Sequence, residues 1–139
     1  MIVDFEQLPI VYHPKYDIPV PKIHSFVGSK FSDLFNNLQK NYSSNLNVFT
    51  PSSANLENLR QSHHIDYINK VDQDELTKDY LRLINLPWSE RLRERSFLET
   101  EGTLVTAKEA LKTGLVFHVG GGTHHAHYEH GYGFCVFND

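Results

Sequence analysis

Two adjacent histidines, His124 and His125, are the residues of this chain whose type and position are best suited to chemistry. They follow three consecutive glycines at 120–122, and the sequence Gly-Phe-Cys comes soon after them at 133–135. Glycines permit positive φ angles and let a substrate approach the backbone closely. In a regular strand neighbouring side chains point to opposite faces, but in an irregular loop both imidazoles can line one pocket. One ring can then accept a proton while the other carries charge, an arrangement suited to hydrolysis.

A strand and a long helix are expected to position this pair. The apolar run at 115–119 predicts a strand covered on both faces, as in a parallel sheet. Before it, a helix is expected from Pro87 or Ser89 to just before Gly114, a residue suited to the left-handed position that closes a helix. One continuous stripe supports this helix, and it consists of Phe97, Thr100, Leu104, Ala107 and Leu111. The site would lie at the carboxyl end of a parallel strand, where open α/β sheets bind ligands.

The remaining elements predict a thin α/β sheet. Short strands are expected at 8–12 and 45–50, and helices at about 28–40, 64–71 and 74–83. Pro51-Ser52-Ser53 offers a cap for a further helix in which Leu56 and Leu59 would face the core. With only two or three strands visible, we expect the 139 residues to be part of a larger domain or to be completed by a partner chain.

The composition is that of an ordinary soluble protein and excludes several classes of function. Apolar residues make up 40% of the chain and charged residues 22%, and the net charge of −4 includes no block of like charge. We therefore expect neither nucleic acid nor a membrane surface as a partner. The N-terminus lacks the features of a signal peptide, and the single cysteine, Cys135, excludes an intramolecular disulfide. These features fit a reducing cytoplasm.

The segment that contains the tandem histidines resembles a known active-site signature. Gly-Gly-Thr-His-His-Ala at 121–126, followed by Gly-Phe-Cys-Val-Phe-Asn-Asp at 133–139, is similar to that of the zinc-dependent histone deacetylase family, which includes acetoin-utilisation proteins and acetylpolyamine amidohydrolases. Three upstream segments resemble the bacterial and class IV branch of this family: His24-Ser25-Phe26 with Lys30, the stretch at 63–67, and Leu-Pro-Trp-Ser at 86–89. The resemblance implies an arginase-like, three-layer αβα fold with a mainly parallel sheet, of which residues 1–139 would be the incomplete N-terminal part.

The resemblance also implies roles for four residues. His125 would be the general base and then the acid, and His124 would give electrostatic support. Gly133 would offer its backbone carbonyl to the substrate amide, and Phe134 would form one wall of the narrow channel that holds the acyl-lysine stem. The substrate would be an acetylated lysine or a related small acylated amine such as an acylated polyamine.

Zinc is the cofactor that the resemblance implies, but its ligands are not expected in this chain. In the family an Asp-x-His pair and another aspartate hold the metal, and all of them follow the Gly-Phe-Cys sequence, as do the acids that orient the tandem histidines. We therefore expect the 139 residues alone to bind no zinc in the family's manner and to have little activity.

Two other functions remain open at this point. The chain could be a non-catalytic deacetylase-like module completed by a partner chain, for example in a swapped homo-oligomer. It could also be a small metal-binding protein, because His125, His127 and His130 form a His-x-His-x-x-His pattern.

Several residues near the motif are expected to have structural roles. His118, on the strand, is expected to be structural, and His63 is expected to pack against a helix or to cap one. Cys135 is expected to be a small buried residue rather than a nucleophile. No oxyanion role is assigned to Tyr128 or Tyr132, because in the family that role belongs to a tyrosine in a later segment.

Overall fold

The computed structural model describes residues 7–52, 54 and 56–139. Ser53 of the expected helix cap and residues 1–6 therefore lie outside the described residues. The strands are β1 (Leu8–Val11), β2 (Leu46–Phe49) and β3 (Phe117–His118), and the helices are α1 (Lys30–Tyr42), α2 (Leu56–Leu59), α3 (Ile65–Asp72), α4 (Lys78–Ile84) and α5 (Glu90–Thr113). Two short 3-10 helices occupy Pro14–Tyr16 and Ser43–Asn45.

The three strands form one parallel sheet with β1 in the middle. Their order is β2-β1-β3, and Val11 pairs with Phe49 on one side and with His118 on the other. Helix α1 connects β1 to β2, and the four helices α2 to α5 connect β2 to β3. The predicted α/β class with a parallel sheet is confirmed, and the sheet places the carboxyl ends of all three strands at one edge.

The long helix α5 begins and ends at the residues that the sequence predicted. At its start the Ser89 hydroxyl oxygen accepts a hydrogen bond from the backbone N–H of Leu92, at 3.2 Å. At its end Gly114 has a φ of 85°, and its N–H donates to the carbonyl of Ala110 at 2.7 Å. This end leads directly into β3.

The stripe of α5 is only partly buried, and the cover predicted for both faces of the strand after it is absent. Phe97 and Thr100 are buried, but Ala107 is exposed and Leu111 is 90% exposed. Leu115 and Phe117 are also exposed, so the run at 115–119 is not covered on both faces. The end of α5 is exposed because of its length: α5 has 24 residues and spans about 36 Å, whereas β1 has four residues and spans about 13 Å. The last turns of the helix therefore extend beyond the sheet.

A second burial prediction fails in part, at the one-turn helix α2. Leu59 is fully buried as expected, but Leu56 is 41% exposed. A helix of four residues presents only one short side to its neighbours, so its first residue lies outside the core.

The core extends into the segment that follows Gly-Phe-Cys. Phe137 is 1% exposed, and its ring packs against Phe97 of α5 at 5.1 Å and Tyr67 of α3 at 5.9 Å between centroids. Val119, before the glycines, is buried as well. Because both ends are buried, the glycine- and histidine-rich segment is a surface loop anchored in the core.

His118 joins β3 to helix α5. Its Nε2 lies 2.9 Å from the Tyr16 hydroxyl, and its Nδ1 lies 3.4 Å from the hydroxyl of Thr103. Gly102 makes room for this ring, since a Cβ atom there would lie 2.4 Å from the Nε2 atom. Burial lowers the pKa of His118 to about 4, a shift that the Asp139 carboxylate partly opposes. These contacts give His118 the structural role that the sequence predicted.

The described helices include none that is both long and apolar enough to cross a membrane.

Acidification is expected to destabilise the fold through His118. Its pKa is about 4 in the folded state against an ordinary value of 6.5, so the unfolded chain binds more protons between these two pH values. The stabilisation that comes from keeping the His118 ring neutral is fully present above about pH 6.5. It is lost as the pH falls towards 4, which lowers the free energy of unfolding by about 2–3 kcal/mol. Urea unfolding near neutral pH and near pH 4 measures this loss. His118→Gln should show a smaller loss, and an equal loss in both proteins would contradict the assignment.

Candidate active site

The loop with the tandem histidines begins where the chain leaves the sheet. The N–H of Val119 still donates to the carbonyl of Val11 in β1, at 2.9 Å. Gly121 then turns the chain, with a φ of 72° and a hydrogen bond from its N–H to the carbonyl of His118. Two residues later the N–H of Thr123 donates to the Asp139 carboxylate at 2.6 Å. The turn therefore directs the next residues across the carboxyl ends of the strands.

His124 and His125 lie side by side at this edge of the sheet. Their ring centroids are 4.1 Å apart, with 46° between the ring planes. Both side chains are accessible to solvent, and both line one cavity of about 380 Å³. That volume is in the range of small-molecule sites. The irregular loop thus brings together two side chains that a strand would have separated.

Asn138 holds the backbone on either side of His125. Its carboxamide nitrogen donates to the carbonyl of His124 at 3.1 Å and to the carbonyl of Ala126 at 2.8 Å. Ala126 is buried, so this part of the loop lies against the core while the imidazole of His125 points outward. No functional role was predicted for Asn138 from the sequence.

His63 in turn holds Asn138. The Nε2 atom of His63 accepts a hydrogen bond from the backbone N–H of Asn138 at 2.7 Å, and its Nδ1 lies 3.3 Å from the carbonyl of Tyr128. His63 is 1% exposed, which agrees with the predicted packing role. The capping role belongs to its neighbour His64, whose ring accepts a hydrogen bond from the N–H of Asp66 at the start of α3.

Gly133 and Phe134 form a tight turn that borders His125. Tyr132 and Cys135 exchange two backbone hydrogen bonds of 2.9 Å, and both residues between them have positive φ, 55° and 72°. Two positive φ values are the requirement of a type I′ hairpin turn. A Cβ atom at Gly133 would lie 3.4 Å from the Cβ and Cγ atoms of His125, so the glycine backbone lies directly beside this imidazole.

Helix α4 and the segment before α1 support that turn. The N–H groups of Gly133 and Phe134 donate to the carbonyls of Leu83 and Ile84, at 3.0 and 2.8 Å. The Phe134 ring lines the cavity and lies 5.6 Å from the ring of Phe26. The turn is therefore fixed on both sides, and Phe134 forms an aromatic wall of the cavity.

Charged side chains also line the cavity. Lys30, Arg95 and Glu99 line it, and the buried guanidinium of Arg95 lies 2.7 Å from the Glu99 carboxylate. Burial raises the pKa of Glu99, and the neighbouring Arg95 partly offsets this. Burial also lowers the pKa of Lys30. The Arg95–Glu99 pair was not predicted from the sequence, because opposite charges four residues apart on a helix indicate a possible ion pair but not its burial.

Other residues near the loop do not join the tandem histidines in a metal site. The rings of His127 and His130 lie 4.7 Å apart across a short hairpin. Among the described residues, however, no three His, Cys, Asp or Glu side chains are grouped so that they could hold a metal ion. Cys135 is buried, and burial raises the pKa of its thiol, which agrees with the predicted non-nucleophilic role.

Comparison with known proteins gives consistent matches. The family model described as Histone deacetylase domain matches residues 24–139. An uncharacterized protein of Picosynechococcus sp. is 38% identical over 132 residues, which are 94% of this chain and 44% of the relative. Histone deacetylase 2 of Arabidopsis thaliana is 26% identical over 147 residues, covering 99% of this chain and 38% of the relative.

A solved structure matches the fold. The crystal structure of the HDA15 HD domain superposes with a TM-score of 0.75 at 15% identity, covering 96% of this chain and 40% of that chain. This chain therefore spans about two fifths of the length of the relatives that it matches.

Gly131 is expected to be irreplaceable in this loop. A Cβ atom there would lie 2.6 Å from Ile84 Cγ1 and 2.7 Å from the carbonyl oxygen of Cys135, so Gly131→Ala should lower the free energy of unfolding by about 2 kcal/mol. Gly122→Ala is the matched control, because a Cβ atom at Gly122 would meet only an Asp139 oxygen at 3.7 Å. Thermal or urea unfolding measures both variants. Equal stability of the two would contradict the close packing at Gly131.

Proposed function

Because this chain belongs to the histone deacetylase family, we propose that it is the N-terminal part of a deacylase. The complete protein hydrolyses the amide of an acetylated lysine or of a related small acylated amine. The observation that carries this proposal is the pair of imidazoles, 4.1 Å apart and facing one cavity. Amide hydrolysis needs a base that takes a proton from water and an acid that returns one to the leaving amine.

His125 is the proton carrier in this proposal. Its ring lines the cavity beside the glycine backbone of Gly133, where a substrate amide can approach without meeting a side chain. His125 first accepts the proton of the attacking water and then donates a proton to the amine nitrogen as the carbon–nitrogen bond breaks. The neighbouring ring of His124 gives electrostatic support to the charge that develops during the reaction.

Gly133 and Phe134 position the substrate. The carbonyl of Gly133 accepts a hydrogen bond from the amide N–H of the substrate, and the Phe134 ring packs against the methylene stem of an acylated lysine or polyamine. The rigid turn supports this role, since two backbone hydrogen bonds to α4 fix both residues. An aromatic wall next to a few convergent polar groups is typical of sites that bind small apolar stems.

Zinc dependence is part of the proposal, but the described residues of this chain do not fit a zinc site by themselves. They contain no group of three potential ligands. The ligands are therefore proposed to come from outside this chain, whose own residues account for proton transfer and substrate positioning.

A second candidate is a non-catalytic module that pairs with another chain. Three exposed apolar residues near the end of α5 and in β3 favour it, because a partner chain could cover them: Leu111, Leu115 and Phe117. Light scattering distinguishes an assembly from a monomer, and the activity of a chimera with the missing segment distinguishes the two functions.

The chain by itself is expected to be inactive. Purified protein, incubated with zinc and an acetyl-lysine peptide or an acetylated polyamine, should release no more acetate than a zinc-only blank. The physical reason is that its described residues offer no metal site to activate water. Robust turnover by the chain alone would contradict the proposal.

A chimera tests the role of His125. This chain would replace the matching segment of the Picosynechococcus relative, and the intact relative would be assayed beside the chimera. His125→Ala should lower kcat at least about 100-fold, the size of a general acid–base contribution. His127→Ala is the matched control, since His127 is exposed and lies outside the cavity lining. An active chimera whose kcat is unchanged by His125→Ala would refute the assignment.

A further inference from the structure

His63 is a buried histidine outside the cavity that uses both ring nitrogens. Its Nε2 accepts the hydrogen bond from the backbone N–H of Asn138, so this nitrogen carries no proton. The proton of the neutral ring is then on Nδ1, which donates to the carbonyl of Tyr128. Burial lowers the pKa of His63, which favours the neutral ring. One imidazole thus joins two points of the segment that follows the tandem histidines.

Asn138 transmits this constraint to the tandem histidines. Its carboxamide has two N–H bonds, and its nitrogen donates to the carbonyls of His124 and Ala126, the residues before and after His125. The carbonyl of Asn138 also accepts a hydrogen bond from the Ser62 hydroxyl at 3.2 Å. The backbone of Asn138 is therefore held by two consecutive residues, Ser62 and His63.

Packing fixes the ring of His63 in this position. Its centroid lies 5.6 Å from that of Tyr67 and 5.3 Å from that of Phe137, and both neighbours are almost completely buried. The Tyr67 hydroxyl donates to the carbonyl of Val136 at 2.7 Å, which attaches the same segment to α3 as well. A ring held in this way cannot change its hydrogen-bond partners without opening the core.

We propose that His63 and Asn138 are positioning residues for His125. His63 fixes the backbone of Asn138, and the Asn138 carboxamide fixes the two peptide groups that flank His125. The effect on catalysis rests on the proposed function, because it requires His125 to be the proton carrier. The effect on loop geometry does not rest on the proposed function, so the positioning role and the catalytic role can fail separately. A misplacement of about 1 Å in a catalytic group can lower the rate about 100-fold.

Variants at residue 63 separate positioning from simple packing. His63→Gln keeps one acceptor and one donor, whereas His63→Leu fills the space without either. Val71→Ala is the matched control, because Val71 is fully buried on helix α3, which begins two residues after His63, and its truncation weakens the core without removing a hydrogen bond to Asn138. Asn138→Asp tests the second connection, since an ionised carboxylate cannot donate to the two carbonyls.

The readout that does not depend on activity is the backbone order parameter of His125 and Ala126, measured by 15N relaxation on this chain. We expect a rigid value of about 0.85 in the unmodified chain, His63→Gln and Val71→Ala, and values below about 0.6 in His63→Leu and Asn138→Asp. If His63→Leu does not fold, Asn138→Asp decides the question. Rigid His125 and Ala126 in a folded His63→Leu or Asn138→Asp protein would overturn the proposal.

The same variants in the chimera measure the effect on catalysis. His63→Leu and Asn138→Asp should lower kcat by about 10- to 100-fold with little change in KM, His63→Gln should restore kcat to within about 3-fold, and Val71→Ala should leave it unchanged. An inactive unmodified chimera would count against the proposed function, while the order parameters would still test the positioning role. Unchanged kcat in both His63→Leu and Asn138→Asp would overturn the catalytic part.

Discussion

Two hydrogen bonds from the carboxamide of Asn138 hold the peptide groups on either side of His125, and the arrangement of the candidate site depends on them. A surface loop with three glycines has many accessible conformations, so it presents two adjacent imidazoles to one cavity only if its backbone is constrained. The constraint comes from the interior. His63 holds the backbone of Asn138, and Phe137, the residue before Asn138, is buried among the aromatic rings of the core.

The other side of the cavity is constrained by a strained turn. Phe134 has a φ of 72°, a conformation that costs a side-chain-bearing residue roughly 1–2 kcal/mol. Two hydrogen bonds offset that cost, from the N–H of Phe134 to the carbonyl of Ile84 and from the N–H of Gly133 to the carbonyl of Leu83. The packing of the Phe134 ring on Phe26 offsets it further. Helices α3 and α4, which lie far from the loop in sequence, thus determine where the tandem histidines and the Gly133–Phe134 turn meet. Backbone strain at such a position is a common feature of functional sites.

The sequence predicted the parts of this structure that depend on local pattern. The two ends of α5 follow from its capping serine and glycine, and the parallel sheet follows from the apolar runs. The shared loop of His124 and His125 follows from the glycines before it. The cover of both faces of the run at 115–119 was predicted wrongly, because an apolar run indicates a strand but not how many neighbouring elements lie against it. The hydrogen bond between His63 and Asn138 was not predicted either. These residues are 75 positions apart, and no local pattern reports a contact between a buried imidazole and a backbone N–H at that separation.

The central claim is that the two imidazoles lie side by side in one constrained loop. Nuclear Overhauser effects between the ring protons of His124 and His125 test it most directly, with the resonances assigned by single His→Gln substitutions. Rings whose centroids are 4.1 Å apart should give strong inter-ring cross-peaks, together with contacts from the His125 ring to the α-protons of Gly133. Absence of inter-ring cross-peaks, with one ring contacting core residues and the other contacting only solvent, would contradict the account.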